Sequence, residues 1–228
     1  METGRADYLY ELGIPVWVRR DQPAEDAHAE FGEEPRARAE AIATMDWEAL
    51  TAAVRDCTAC RLRAGCARTV FGVGDRHAQW MLVGEAPGAE EDRQGEPFVG
   101  RAGQLLNAML TAIGLRREAV YITNVVKCRP PGNRDPAPDE AVTCRPFLER
   151  QIELVQPKLI LALGRVAAQN LLGTQAPLAR LRGHAHELRG IPVVVTYHPA
   201  YLLRTPSEKR KAWADLQFAA RIVQGVPQ

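Results

Sequence analysis

The chain has 228 residues, 46% of them hydrophobic and 25% charged, with a formal net charge of +1. These values exclude a disordered or fibrous chain and leave room for one sizeable domain with an appendage. No apolar run approaches the ~20 residues of a membrane span, and the amino terminus lacks the basic-then-apolar order of a signal peptide, so the expected compartment is the cytoplasm.

The near-neutral total conceals a gradient. Residues 1–50 hold 5 Lys/Arg against 12 Asp/Glu, residues 51–144 hold 12 against 11, and residues 145–228 hold 12 against 5. An acidic head precedes a basic tail that can track a phosphate backbone.

In chain order, residues 7–20 carry an apolar cluster of Leu9, Leu12, Ile14, Val16 and Trp17. This cluster reads either as a partner-docking peptide or as a segment packing on its own domain. Residues 21–44 are rich in Ala, Glu, Asp and Arg and poor in large apolar groups, which suits a linker or a marginal helix. The boundary is expected near Asp46, dividing an acidic extension, 1–45, from a domain, 46–228.

Beyond it, strand-like and helix-like patterns alternate. Trp80-Met81-Leu82-Val83 predicts a buried strand running into a Gly/Pro turn. Ala102 to Gly114 has apolar residues at helical spacing and a glycine stop. Val120 to Thr123 predicts a second strand, and Asp139 to Val155 a helix bracketed by prolines. Leu159 to Leu163 is a third strand with a helix from Arg165 to Leu172 behind it. Pro192 to Thr196 is a fourth strand, and Ser207 to Val223 a closing helix with Ser207 as its N-cap. Strands that are apolar throughout are buried on both faces. The pattern predicts an α/β fold: a three-layer α/β/α sandwich with a central four-stranded parallel sheet, plus the N-terminal extension.

Five cysteines are present. Cys57 and Cys60 form a C-x2-C pair, and Cys128 and Cys144 form a second pair with 15 residues between them. In a reducing compartment such pairs are ligands before they are disulfides. Four thiolates suit zinc or an iron–sulfur cluster, and spacing alone does not choose. Cys66 reads as a free, packed thiol. Three further motifs each end a predicted strand: Gly84-Glu85-Ala86-Pro87-Gly88, Ile122-Thr123-Asn124 and His198-Pro199-Ala200-Tyr201-Leu202. Ligands of such sheets bind beyond the carboxyl ends of the strands, so the three motifs point to one shared site.

With Pro97-Phe98-Val99-Gly100 and the run from Ile122 to Pro131 added, the chain from about Trp47 to Val223 resembles the family 4 uracil-DNA glycosylases, the iron–sulfur branch of the uracil-DNA glycosylase superfamily. The resemblance implies a [4Fe–4S] cluster on Cys57, Cys60, Cys128 and Cys144. It also implies excision of uracil from single- or double-stranded DNA, leaving an abasic site. Such an enzyme flips its target base into a pocket. On this reading Phe98 stacks on the base, Asn124 reads the O4 and N3–H edge, and His198 stabilises the charge developing at O2. Glu85 and Ala86 are pocket contacts, and Leu202 wedges into the vacated stack. Related families carry Asp where this chain has Ala86, so water activation falls first to Glu91, with Asn133 as helper. Arg129, Arg134, Arg182, Arg204, Lys209 and Arg210 are candidate phosphate contacts.

Two rivals keep part of this pattern. One is a catalytically inactive iron–sulfur module that binds nucleic acid, for which Ala86 leaves room. The other is a zinc hydrolase of small nucleotides, which would be colourless. One site on one domain makes a monomer the expected state.

Overall fold

The computed structural model describes residues 33–225. The apolar cluster from Leu9 to Trp17, read as a docking peptide or as a segment packing on its own domain, lies outside the described residues. The larger compact unit of the chain is Arg38–Gln228.

Helix α1 (Glu33–Ala43) comes first, and its Ile42 enters the core. Helix α2 (Trp47–Arg55) starts at Asp46, whose carboxylate accepts the Ala49 amide at 2.8 Å, a side-chain cap of the usual kind. A short helix α3 (Leu62–Gly65) leads to strand β1 (Val73–Gly74) and strand β2 (Trp80–Gly84). Helices α4 (Ala89–Gln94) and α5 (Arg101–Ala112) separate β2 from β3 (Tyr121–Asn124). Helix α6 (Pro138–Val155), strand β4 (Leu159–Leu163) and helices α7 (Arg165–Leu172) and α8 (Leu178–Leu181) follow. A hairpin of β5 (Ala185–Leu188) and β6 (Ile191–Thr196) precedes α9 (Pro199–Arg204) and the last helix, α10 (Lys209–Gln224).

The six strands form one sheet in the order β1-β3-β2-β4-β6-β5. Its four inner strands are parallel, as expected, and the two edges are antiparallel additions. The pleat sends alternate side chains to opposite faces. Met81, Val83, Ile160 and Ala162 enter one core with residues of α2, α6 and α7, while Trp80, Leu82, Leu159 and Leu161 enter the other with residues of α5 and α10. All five side chains of β4 are fully buried, each contributing about 1.5–3 kcal/mol if as large as Leu or Ile. This double coverage makes the sandwich.

The sheet also aligns the site. Gly84 is in register with Asn124, and Leu163 with Thr196. The loops after β2, β3 and β6 therefore open at one edge. The closing helix departs from expectation: Ser207 lies within a 3₁₀ turn, Pro206–Glu208, and α10 begins at Lys209 without a side-chain cap.

Candidate functional site

At the carboxyl edge of the parallel strands lies a cavity of about 400 Å³, within the range that accepts a base and its sugar. Glu85, Ala86, Phe98, Asn124, Asn133 and His198 line part of it. The three motifs and the Phe98 loop thus meet in one place.

Asn124 ends β3 and is 1% exposed. Its side-chain oxygen is buried and has no hydrogen-bond partner among the described residues. Leaving a buried acceptor unpaired costs roughly 1–3 kcal/mol, so this oxygen awaits a donor. Gly84, beside it, must be glycine. A Cβ there would lie 2.7 Å from Cζ of Phe98 and would collide with the Asn124 side-chain oxygen.

Phe98 is 6% exposed and holds a left-handed backbone, φ 54°, a conformation that costs a non-glycine residue about 1–2 kcal/mol. Two side chains fasten it. Oε1 of Glu91 accepts the amides of Val99 and Gly100, both at 3.0 Å, while Oε2 accepts that of Gly88 at 3.1 Å. On the other side Arg117 donates to the carbonyl of Phe98 at 3.3 Å and to the Glu96 carboxylate at 3.0 Å.

Glu91 was expected to activate water. Both its oxygens are taken by backbone donors, so it serves as a clasp between the Gly88 turn and the Phe98 loop, although it lines the cavity. The carboxylate expected to face water thus has three amide hydrogen bonds to the two loops it joins.

His198 caps α9, its Nδ1 accepting the Ala200 amide at 3.2 Å. That bond assigns the ring proton to Nε2 in the neutral imidazole. Burial, with Arg204 nearby, pushes the group down to about 4, against a smaller opposing effect of Glu91. It is therefore neutral at pH 7 and a hydrogen-bond donor. Its ring centre is 5.6 Å from that of Phe98, with the planes tilted by 31°. Gly164 lies beneath it, where a Cβ would come within 2.9 Å of the His198 Cβ.

Asn133 is exposed, with φ 54°, and its side-chain oxygen accepts Nε of Arg129 at 2.8 Å. Leu202 does not line this cavity. It is 1% exposed and borders a separate groove between α5 and α10 with Leu105, Met109 and Trp213. A helix starting at Pro199 turns Leu202, the expected wedge, inward and leaves Tyr201 and Leu203 exposed, at 37% and 36%. Arg182 is likewise withdrawn from the surface, bonded to the buried Asp215 at 2.8 Å. Arg204 is exposed and lines the cavity.

Cys57, Cys60, Cys128 and Cys144 line a second, smaller cavity, together with Lys127 and Arg38. Burial raises the thiols of Cys60, Cys128 and Cys144, the last to about 11, while Lys127 opposes the rise at Cys144. Nη2 of Arg38 donates to the sulfur of Cys57 at 3.7 Å. Cys66 is buried as expected, and its thiol adjoins Cys128. Among the described residues, no three His, Cys, Asp or Glu side chains are arranged to hold a single metal ion.

Sequence reasoning missed Lys127. It is 2% exposed and donates to Thr123 Oγ1 at 2.7 Å, to the Asn124 carbonyl at 2.8 Å and to Gln151 Oε1 at 2.6 Å. The available signal was a lone cation inside an apolar run, since lysines are almost never fully buried without partners. Arg117 gave no comparable signal.

A buried amide with an unpaired acceptor, a fixed aromatic ring and a neutral imidazole thus line one cavity at the carboxyl edge of an α/β/α sandwich. The family model of the uracil DNA glycosylase superfamily matches residues 71–217. A type-4 uracil-DNA glycosylase of Archaeoglobus fulgidus is 45% identical over 172 residues, 72% of this chain and 86% of that protein. One from Thermotoga maritima is 46% identical over 181 residues, 78% and 94% of the two chains. A type-5 uracil-DNA glycosylase of Thermus thermophilus is 37% identical over 138 residues, covering 54% and 61%. The chain belongs to the uracil DNA glycosylase superfamily, in its type-4 branch.

Proposed function

We propose that the protein removes uracil from DNA by hydrolysing the N-glycosidic bond, leaving an abasic site for repair. The unpaired, buried side-chain oxygen of Asn124 carries this reading. In a flipped uracil it accepts N3–H while the amide nitrogen donates to O4. Cytosine offers the opposite pattern, and mismatched buried groups are rejected strongly. Phe98 covers the flat face of the ring. As the C–N bond breaks, negative charge gathers on uracil, and neutral His198 donates through Nε2 to O2. Because His198 needs no proton from solvent, its state is already correct at pH 7. With Glu91 committed to the loop, Asn133 is the group we place against the attacking water. The exposed Tyr201 and Leu203 flank the flipped base, and Arg129, Arg134 and Arg204 meet phosphates.

The second cavity fits the cofactor that type-4 membership suggests. Four thiols border one space, and Nη2 of Arg38 donates to the sulfur of one of them, Cys57. Cys57, Cys60, Cys128 and Cys144 would hold a [4Fe–4S] cluster there. When bound, it supplies a four-thiolate crosslink between distant segments and no chemistry at the base.

The test is strand scission. An end-labelled oligonucleotide with one uracil is incubated with the protein, and abasic sites are then cleaved with alkali. Cleavage at uracil alone, lost in Asn124→Ala and His198→Ala, supports the reading. Tight DNA binding with no cleavage by a folded, brown protein would replace it with the inactive binding module.

A further inference from the structure

A column of stacked side chains runs from the interior to the mouth of the main cavity. Its foot is Asp215 of α10, which is buried and accepts Thr196 Oγ1 at 2.7 Å and Arg182 Nε at 2.8 Å. Arg182 also donates through Nη2 to the Lys211 carbonyl at 2.9 Å, so its planar guanidinium is held in one orientation. Cζ of Arg182 lies over the ring of Tyr197, 4.2 Å from the centroid, the geometry of a cation–π contact. Tyr197 stacks in turn on Tyr201, with ring centroids 5.1 Å apart and planes 19° from parallel. Tyr201 is the outermost layer: it is exposed and lines the cavity. No second ring or guanidinium stacks on it among the described residues.

A tyrosine ring left open to solvent at the end of such a column is poised to carry one more layer. Arg204, three residues further along α9, is exposed and lines the same cavity, and residues at that spacing are neighbours on a helix surface. A ring beside a cation is the combination that holds an unpaired strand, the ring against a base and the cation against a phosphate. Because Tyr197 and Arg182 already fix the ring, little freedom is lost when a base settles on it.

We propose that Tyr201 is a stacking platform for a second nucleobase: the base next to the uracil in the strand lies on the outer end of the Arg182–Tyr197–Tyr201 column while the uracil occupies the cavity. This rests on the uracil-excision reading above and adds a ligand to it. Flipping the uracil strips each adjacent base of one stacking neighbour, and Tyr201 supplies a replacement. Stacking engages the flat face alone, so any of the four bases fits.

The experiment measures binding of the full-length protein to a labelled single strand by fluorescence anisotropy. The strand carries one 2′-fluorinated deoxyuridine, whose fluorine opposes positive charge on the sugar and so halts cleavage. In a second strand both neighbours of that uridine are tetrahydrofuran spacers, which keep the phosphates and lack the bases. The unsubstituted protein and Tyr201→Phe should each bind the spacer strand about tenfold more weakly than the first, within the range that one stacked base is worth. Tyr201→Ala should bind the first strand about tenfold more weakly and show no further loss with the spacers, because ring and base are the two halves of one contact. An equal loss from Tyr201→Ala on both strands overturns the proposal, since the ring would then serve the phosphates or the fold. Binding of Tyr201→Ala equal to that of the unsubstituted protein overturns it too. Absence of excision from an ordinary uracil strand would refute the functional reading, and the comparison of the two strands would then decide this inference alone. Failure to bind either strand overturns both.

Discussion

Nζ of Lys127 donates to the backbone oxygen of Asn124 at 2.8 Å, and the next residue after Lys127 is Cys128. Asn124 is thus propped from beneath by a buried lysine, lowered by its burial to about 7, that also borders the cysteine cavity. Thr123 and Gln151 complete the lysine's set of acceptors, and Gln151 also donates to the Tyr121 hydroxyl at 2.9 Å.

Removing that lysine should be felt in stability. Lys127→Met leaves three buried acceptors short of a donor, at roughly 1–3 kcal/mol for each group left unsatisfied. We expect a clear drop in melting temperature together with slower uracil excision. A variant melting like the unsubstituted protein would show that water replaces the ammonium group.

Gly84→Ala should separate folding from function. Its Cβ projects onto Phe98 and the Asn124 side chain, not into the core of the sheet. Overpacking of this kind costs about 1–3 kcal/mol, which a domain of this size survives. Excision should nonetheless fall at least about a hundredfold, because roughly 3 kcal/mol of misplaced contacts enters the transition state. Thermal melting beside the scission assay reads both.

Acid sensitivity should trace to His198. Its folded value, about 4, lies below the ordinary imidazole value of 6.5, so between those limits the unfolded chain binds more protons. Stability contributed by the neutral ring is therefore full above about pH 6.5 and is lost as pH falls toward 4. A displacement of this size corresponds to about 3 kcal/mol. The drop in melting temperature between pH 7 and pH 4.5 should be smaller in His198→Gln than in the unsubstituted protein. Between pH 7 and 9, His198 should add no step to the rate profile.

The cysteines should sort into two classes. Cys144→Ser is expected to abolish the broad visible absorption of an iron–sulfur protein and to lower its melting temperature. Cys66→Ser should retain the colour. The reverse result would move the ligand set to include Cys66.

The four inner strands were legible because they are short apolar runs bounded by Gly and Pro. The edges were not: β1 has two residues, and Ala185–Leu188 alternates exposed and half-buried positions. Asn124 and His198 were legible as residues of strand-end motifs, and Phe98 through the Pro97–Gly100 motif between two helices. The task of Glu91 was hidden, since a clasping and a reacting carboxylate look alike in sequence. Its spacing of three from Gly88 was the one hint, matching a capping box. The burial of Leu202 was not legible, because the helical phase of α9 settles which of two adjacent leucines faces out.

The arrangement of the cysteines divides the pocket into two parts of unequal dependence. Glu85, Ala86, Glu91, Phe98 and Asn124 all fall within the span from Cys60 to Cys128, whereas His198 comes from beyond β6. The segment from Cys60 to Cys128 thus has both its ends at the thiol cavity, whereas the His198 loop follows a strand tied to the sheet and, through Thr196 and Asp215, to α10. Oxidation of those thiols should therefore disturb the Asn124 side of the pocket before the His198 side.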